Sequence, residues 1–224
     1  MGFELDNLKG KHLIAESMDI DVQGKPYQVS IPMEMILDPL NEVILAYEMN
    51  GVDIPIEHGF PLRLVVPGTV GVRNAKWAKR LYVSDREAQS TQQKENYKIV
   101  TEKDPKKIDY SKIKPIMGYV VNSAIADPVH KEIVLVDKAD PFITIKGYAV
   151  GNQTLGTPVS KVELSFDGGK SWEKATIASK EEKAPGQKVF SWVLWEHRIN
   201  VLDHISSDGK ITVTCKCTDT QGTT

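Results

Sequence analysis

The chain has 224 residues, 41% of them hydrophobic and 26% charged, with a formal charge of −2. That composition excludes a disordered chain and gives no bulk attraction to nucleic acid, so any anion site must be a local cluster. The length suits one large or two ordinary domains, and no apolar run approaches the roughly 20 residues of a membrane span.

The start, "MGFELDNLKG", has no apolar core of a secretory signal, and Asp6 stands where a myristoylation pattern wants Ser or Thr. "ESMDID" is short and polar, and offers Asp19 and Asp21 as neighbouring carboxylates. "SIPMEMILDPLNE" predicts a short helix, with Ser30 as a cap, Pro32 in the first turn and Pro39 as the stop. The apolar run from Val43 to Met49 meets Asn50-Gly51. That pair predicts a hairpin, because a type I′ turn needs positive φ at both central residues.

"HGFPLRLVVPGTVGVRNAKW" (58–77) sets a His, two Arg and a Lys around a strand-like run, with Pro67, Gly68 and Gly71 inside it. This is either an ordinary edge strand or a wrap around a large anion. Read residue by residue, His58 beside Gly59 is a loop histidine, Arg73 and Lys79-Arg80 are solvated charges, and Trp77 belongs to a core. "RLVVPGTVG" and "KRLYV" supply further strands.

Residues 84–114 are mostly polar, rich in Lys, Asp and Glu, and read as surface connection. After them the chain reads as all-β. "KEIVLVD", "PFITIKGYAV", "VSKVELSF", "SWEKATI", "KVFSWVLWE" and "KITVTCKC" are short runs between turn signals, and "DGGK" is a tight hairpin. They predict an immunoglobulin-like sandwich over about 118–217, with Trp172 and Trp192 buried. The two cysteines, Cys215 and Cys217, share one strand face and read as buried strand thiols, with a redox pair or half a metal site as the alternative. There is no internal repeat and no low-complexity tract.

The segments "PYQVSIP", "LAYEMNG", "HGFPLRLVVPGTVGVRNAKW", "VNSAI", "TIKGYA" and "VELSFDGGKSWEKA" resemble, in order and over nearly the whole chain, the sulfite oxidase family of molybdenum-cofactor oxidoreductases. The eukaryotic nitrate reductases are relatives of that family. The resemblance implies an α+β, mostly β, partial molybdenum-cofactor domain followed by an immunoglobulin-like β-sandwich. Residues 1–100 would be the C-terminal portion of the molybdopterin-binding domain, 101–117 a connection, and 118–224 the dimerisation domain, C-terminally truncated. The implied cofactor is Mo-molybdopterin. Carried over by position, Asp19, His58, Arg63, Asn74, Ala75 and Lys76 are cofactor contacts, Asn74 and Ala75 chiefly through backbone. Arg63 offers a planar fork of donors, Lys76 a point charge, and Asp19 an acceptor for the N–H edge of a pterin. Gly68 and Gly71 let backbone approach a bulky ligand.

The chain also departs from the family pattern. The family's molybdenum-ligating Cys lies upstream of the matched text, and its substrate-binding Trp-Asn-Leu-Arg-Gly-type segment lies beyond the last residues, "CTDTQGTT". Asn74 stands where the family has Ser or His, and "GNQTLGTP" replaces a glycine-rich loop. The expectation is therefore no catalytic residue and no metal ligand in this chain, and no sulfite oxidation by it alone. It would supply pterin contacts to a sulfite-oxidising enzyme. The alternatives are a non-catalytic structural or interaction subunit and a nitrate reductase-type fragment. The implied partners are a second copy or a larger protein complex, including a complementary N-terminal chain, with no nucleic acid and no transmembrane segment. The family favours a mitochondrial location, in the intermembrane space or complex-associated, over peroxisome or cytoplasm.

Overall fold

The computed structural model describes residues 5–224, so the first four residues of the start read above for targeting patterns lie outside the described residues. The chain forms two compact units, Met1–Gly118 and Tyr119–Thr224.

In the first unit, β1 (His12–Ile20) is the central strand of a three-stranded antiparallel sheet between β2 (Pro26–Pro32) and β7 (Ala78–Ser84). The helix α1 (Met33–Leu37) follows β2 directly and ends before Asp38-Pro39, as the prolines predicted. Pro32 is the capping residue rather than part of the first turn. Ser30 is not a cap: it is buried in β2, and its hydroxyl accepts from the Ala88 amide at 2.5 Å. The run at 43–49 is split. β3 (Ile44–Ala46) pairs with β6 (Arg63–Val65), while β4 (Glu48–Met49) and β5 (Val52–Asp53) flank Asn50-Gly51. Both turn residues have positive φ, 56° and 80°, as a type I′ turn requires. Ala15, Val29, Ile31, Leu64, Val66 and Ala75 form the core of this unit.

Two expectations fail here. Arg73 is not solvated but fully buried. Its Nε donates to the Ile116 carbonyl at 3.0 Å and its Nη1 to Gln93 Oε1 at 2.5 Å. Gln93, in a π-helical turn (Gln92–Asn96), also accepts from the Ser30 amide. The polar connection is therefore not all surface: Ala88, Ser90 and Gln93 are buried, and they bond to β2 and to Arg73. Arg80 is exposed but paired, with Nη2 2.8 Å from Glu16 Oε2. The Gln28 amide and Arg80 together hold the Glu16 carboxyl below the usual carboxylate range.

The second unit is a sandwich of two antiparallel sheets. One is ordered β12-β13-β9-β8, from β8 (Asn122–Asp127), β9 (Phe142–Val150), β12 (Thr176–Ser179) and β13 (Val193–Asn200). The other is β11-β10-β14, from β10 (Val159–Ser165), β11 (Glu173–Lys174) and β14 (Thr214–Asp219). Ile145, Ala149, Val162, Leu164, Val193, Trp195 and Cys217 meet between them. The buried indole is Trp195, 1% exposed, not Trp192, which is 51% exposed and rests on Tyr148 with ring centroids 4.8 Å apart. Parity explains the correction. Val193 and Trp195 share the inward face of β13, which leaves Trp192 and Leu194 outward. Trp172 is half-buried, with Lys216 Nζ 3.8 Å from its ring centroid. Gly147 lies opposite Trp195, and a Cβ there would collide with the indole and with the Ala124 carbonyl. "KEIVLVD" forms no strand: residues 132–136 have no regular secondary structure and join no sheet, and Lys131 before them has φ 64°.

The "DGGK" hairpin joins β10 to β11, with both glycines at positive φ and the Asp167 carboxylate accepting from the Lys170 and Ser171 amides. Cys217 is buried, its thiol donating to the Asn122 carbonyl at 3.1 Å, and burial pushes its pKa up. No group of His, Cys, Asp and Glu among the described residues could hold a metal ion. No helix among them is long and apolar enough to cross a membrane.

Two predictions follow from this packing. Trp195→Ala should cost about 3–5 kcal/mol in urea unfolding, and Trp192→Ala less than half as much. Burial of Asp219 works against its charge, yet the Thr157 hydroxyl and the amides of Thr223 and Gln221 hold its pKa below the ordinary 3.8. A lowered folded pKa gives stability that is present above the unfolded pKa and lost as pH falls through the folded one. Unfolding free energy should therefore drop below about pH 4. Asp219→Asn should be less stable at pH 7 and lose part of that slope.

Candidate cofactor site

The segment 58–77 is organised by one short turn. Ile56–His58 form a 3₁₀ turn that Gly59 closes at φ 114°. Each carbonyl of the turn accepts from a side chain. Trp77 Nε1 donates to Ile56 O at 2.8 Å, Lys76 Nζ to Glu57 O at 2.8 Å, and Arg63 Nη1 to His58 O at 3.3 Å. Gly59 packs so close to Lys76 that a Cβ would lie 3.0 Å from the Lys76 Cβ, so glycine is required there by both contact and φ. Trp77 also has positive φ, 50°, and its backbone carbonyl accepts from Met18.

Those side chains wall a hollow of about 190 Å³, lined by Ser17, Asp19, Tyr27, Arg63, Gly71, Asn74, Lys76 and Trp77. β1 reaches it through an irregularity: the register with β7 shifts between Glu16 and Ser17, and that with β2 between Glu16 and Ile20. Such a bulge re-aims side chains, and Ser17 and Asp19 line the hollow. Asp21 does not. Its Oδ1 accepts from the Gln23 and Lys25 amides and closes the β1–β2 turn. Tyr27 donates to the Val72 carbonyl at 2.5 Å, and burial pushes its pKa up to about 12. Asn74 is spent on its own loop, Oδ1 accepting from the Val66 amide at 2.6 Å and Nδ2 donating to Thr69 Oγ1 and the Val70 carbonyl at 3.3 Å.

Of the residues singled out from sequence, Asp19, Arg63, Asn74 and Lys76 come together. Ala75 is buried in the core, its carbonyl accepting from the Leu64 amide. His58 is exposed and lines an adjoining, more apolar hollow with Ala46, Glu48, Met49, Ile54, Arg63 and Val65. The implied contacts His58, Arg63 and Lys76 therefore do not share one cavity but line two hollows that have Arg63 in common. Sequence reasoning missed Ser17 and Tyr27 and misread Trp77, which is half-buried in the wall. The spacing of Ser17 and Asp19, two apart on a strand, was a usable signal.

Ser17 Oγ, Asp19 Oδ1 and Arg63 Nε are buried and have no hydrogen-bond partner among the described residues. Orphaned polar atoms are uncommon and call for a partner. Here they are one acceptor carboxylate, one hydroxyl and one guanidinium donor, beside a lysine that has used one of its three donors. That set fits an anionic pterin, which has an N–H edge, ring acceptors and a phosphate. Neither thiol of the chain lines the hollow.

Residues 3–92 match the oxidoreductase molybdopterin binding domain, and residues 113–224 match the Mo-co oxidoreductase dimerisation domain. The chain is 39% identical to mitochondrial sulfite oxidase of Drosophila melanogaster over 210 residues, 93% of this chain and 36% of that protein. It is 36% identical to sulfite oxidase of Gallus gallus over 219 residues, 97% of this chain and 45% of that one. The chain thus spans under half the length of these relatives. The sulfane dehydrogenase SoxCD of Paracoccus pantotrophus shares the fold, with a TM-score of 0.69 at 24% identity over 95% of this chain and 47% of that chain. The chain belongs to the sulfite oxidase family, with part of a molybdopterin-binding domain followed by a Mo-co dimerisation domain.

Proposed function

We propose that this chain supplies the pterin-binding wall and the dimerisation domain of a sulfite-oxidising molybdenum enzyme. The observation that carries this reading is the hollow, in which Ser17, Asp19, Arg63 and Lys76 converge and Ser17 Oγ, Asp19 Oδ1 and Arg63 Nε have no partner among the described residues. When bound, the molybdenum cofactor supplies two-electron oxo transfer, which turns sulfite into sulfate. The chain's own residues bind and orient. Asp19 accepts from the pterin N–H edge, and Arg63 and Lys76 give donors and positive charge to the anionic part. Tyr27 remains a protonated donor at any physiological pH and fixes Val72 beside Gly71. His58 faces the adjoining hollow, where Arg63 is also available to an anion.

The metal-holding thiolate is not among the lining residues, so it comes from another segment or a complementary polypeptide. The same observation supports a second reading, a non-catalytic subunit that keeps the pocket. The second unit would pair two copies. A mitochondrial location follows the relatives named as mitochondrial.

Binding of the cofactor's oxidised, phosphate-bearing pterin, followed by its fluorescence, tests the reading without any turnover. The chain should bind it, and Arg63→Ala or Lys76→Ala should weaken binding roughly 10- to 100-fold, as lost charge-assisted hydrogen bonds do. Asp19→Asn should weaken it about tenfold and leave the melting temperature unchanged, because Asp19 Oδ1 has no partner to lose. No binding, or normal binding by all three variants, would overturn the proposal.

A further inference from the structure

Arg73 is fully buried, yet among the described residues no carboxylate bonds to it. An arginine without solvent exposure is ordinarily paired with one. Here both bonds go to neutral oxygens, Nε to the Ile116 carbonyl and Nη1 to Gln93 Oε1, and Nη2 is buried with no partner among the described residues. The carboxylate stands one bond further out, where Gln93 Nε2 donates to Glu87 Oε2 at 3.1 Å. A side-chain amide thus separates cation from anion. Neutral acceptors hold the guanidinium in place and leave most of its charge uncancelled.

The turn that carries this cation borders the hollow. Gly71–Arg73 form a 3₁₀ turn, and both Gly71 and the following Asn74 line the cavity. The segment 116–117 grips the turn twice, the Met117 carbonyl accepting from the Val70 amide at 2.7 Å and the Ile116 carbonyl from Arg73 Nε at 3.0 Å. Ile116 is itself fixed, its amide donating to the Tyr97 carbonyl at 2.8 Å. Arg73 does not line the hollow, so it touches no ligand there. Tyr27 does line it, and lies within electrostatic range of both Arg73 and Asp19. In the low effective dielectric of an interior, a unit charge acts across such a spacing. A purely structural anchor would be better served by a carboxylate at position 93, which would accept the same bond and cancel the charge.

We infer that Arg73 is a positioning residue for anion binding in the hollow, fixing the turn that presents Gly71 and Asn74 while keeping an uncancelled positive charge beside the cavity. This rests on the pterin reading above and adds to it a residue that no ligand contacts. Arg63 and Lys76 give the anionic part its hydrogen bonds, and Arg73 adds field from behind them. The neutral amide of Gln93 is what allows one side chain to do both.

The test moves the carboxylate without changing net charge. Gln93→Glu combined with Glu87→Gln sets the anion directly on Arg73 and keeps a hydrogen bond between positions 87 and 93, with donor and acceptor exchanged. The melting temperature of this full-length double variant should equal or exceed that of the wild type. Its binding of the cofactor's oxidised, phosphate-bearing pterin should weaken about tenfold, against less than about threefold for the same pterin without its phosphate. Glu87→Gln alone removes the compensating charge and should tighten the phosphate-bearing pterin about threefold. Equal losses for the two ligands, or unchanged affinity in the double variant, would overturn the inference. If the double variant does not fold, unchanged affinity of Glu87→Gln overturns it. In each of these cases a wild-type chain that binds the pterin through Arg63 and Lys76 keeps the pterin reading intact. A wild-type chain that binds no phosphate-bearing pterin would overturn both.

Discussion

Three successive carbonyls, of Ile56, Glu57 and His58, each take a hydrogen bond from a side chain, and those side chains are Trp77, Lys76 and Arg63. This is the constraint on which the first unit's site depends. It folds the chain at 56–59 against the chain at 76–77, places Arg63 between two hollows, and fixes His58 on the outer side of one of them. The left-handed backbone at Gly59 and Trp77 and the tight packing of Gly59 on Lys76 belong to the same arrangement. Non-glycine residues at positive φ cost free energy and persist where surrounding contacts over-determine them. Here the indole of Trp77 is tied at Nε1, and Lys76 Nζ lies 4.4 Å from its ring centroid.

A second set of contacts supports the loop at 70–74 from behind. Arg73 is buried against Gln93 and the Ile116 carbonyl, and Tyr27 holds Val72. Burial lowers the Arg73 pKa, yet a guanidinium stays charged across the physiological range. A buried cation bonded only to neutral acceptors is expensive unless its geometry is well satisfied. Gln93 meets part of that cost at Nη1 and the Ile116 carbonyl part at Nε, while Nη2 has no partner among the described residues. The cost goes into fixing a loop that carries Gly71 and Asn74 into the wall of the hollow, next to Lys76. The loop therefore has its shape before any ligand arrives, which lowers the ordering cost of binding.

Much of the fold was legible because it rests on local chemistry. Asn50-Gly51 specified its turn through φ, the prolines bounded α1, and alternation marked the strands of the sandwich. Which indole is buried also follows from alternation, but only once the strand's parity is fixed by its neighbour β9. Arg73 and Gln93 were not legible. A buried arginine looks like a solvated one until the long-range partner is known, and Gln93 lies 20 residues further along. "KEIVLVD" read as a strand by composition, but it forms none: a strand also needs a neighbour, and Lys131 at its start has a left-handed φ of 64°. At the site, the residue types of Arg63, Lys76 and Asp19 were readable. The separation of His58 into an adjoining hollow was not, because it depends on the turn at 56–59 and its three bonds.

If the turn and the wall of the hollow are one structure, they open together. Native-state hydrogen exchange across residues 56–60 and 74–78 measures this directly. The account predicts a single opening free energy for both stretches, and a Lys76→Met variant that speeds exchange in both by the same factor. Separate opening, with Lys76→Met loosening 56–60 while 74–78 stays protected, would contradict it.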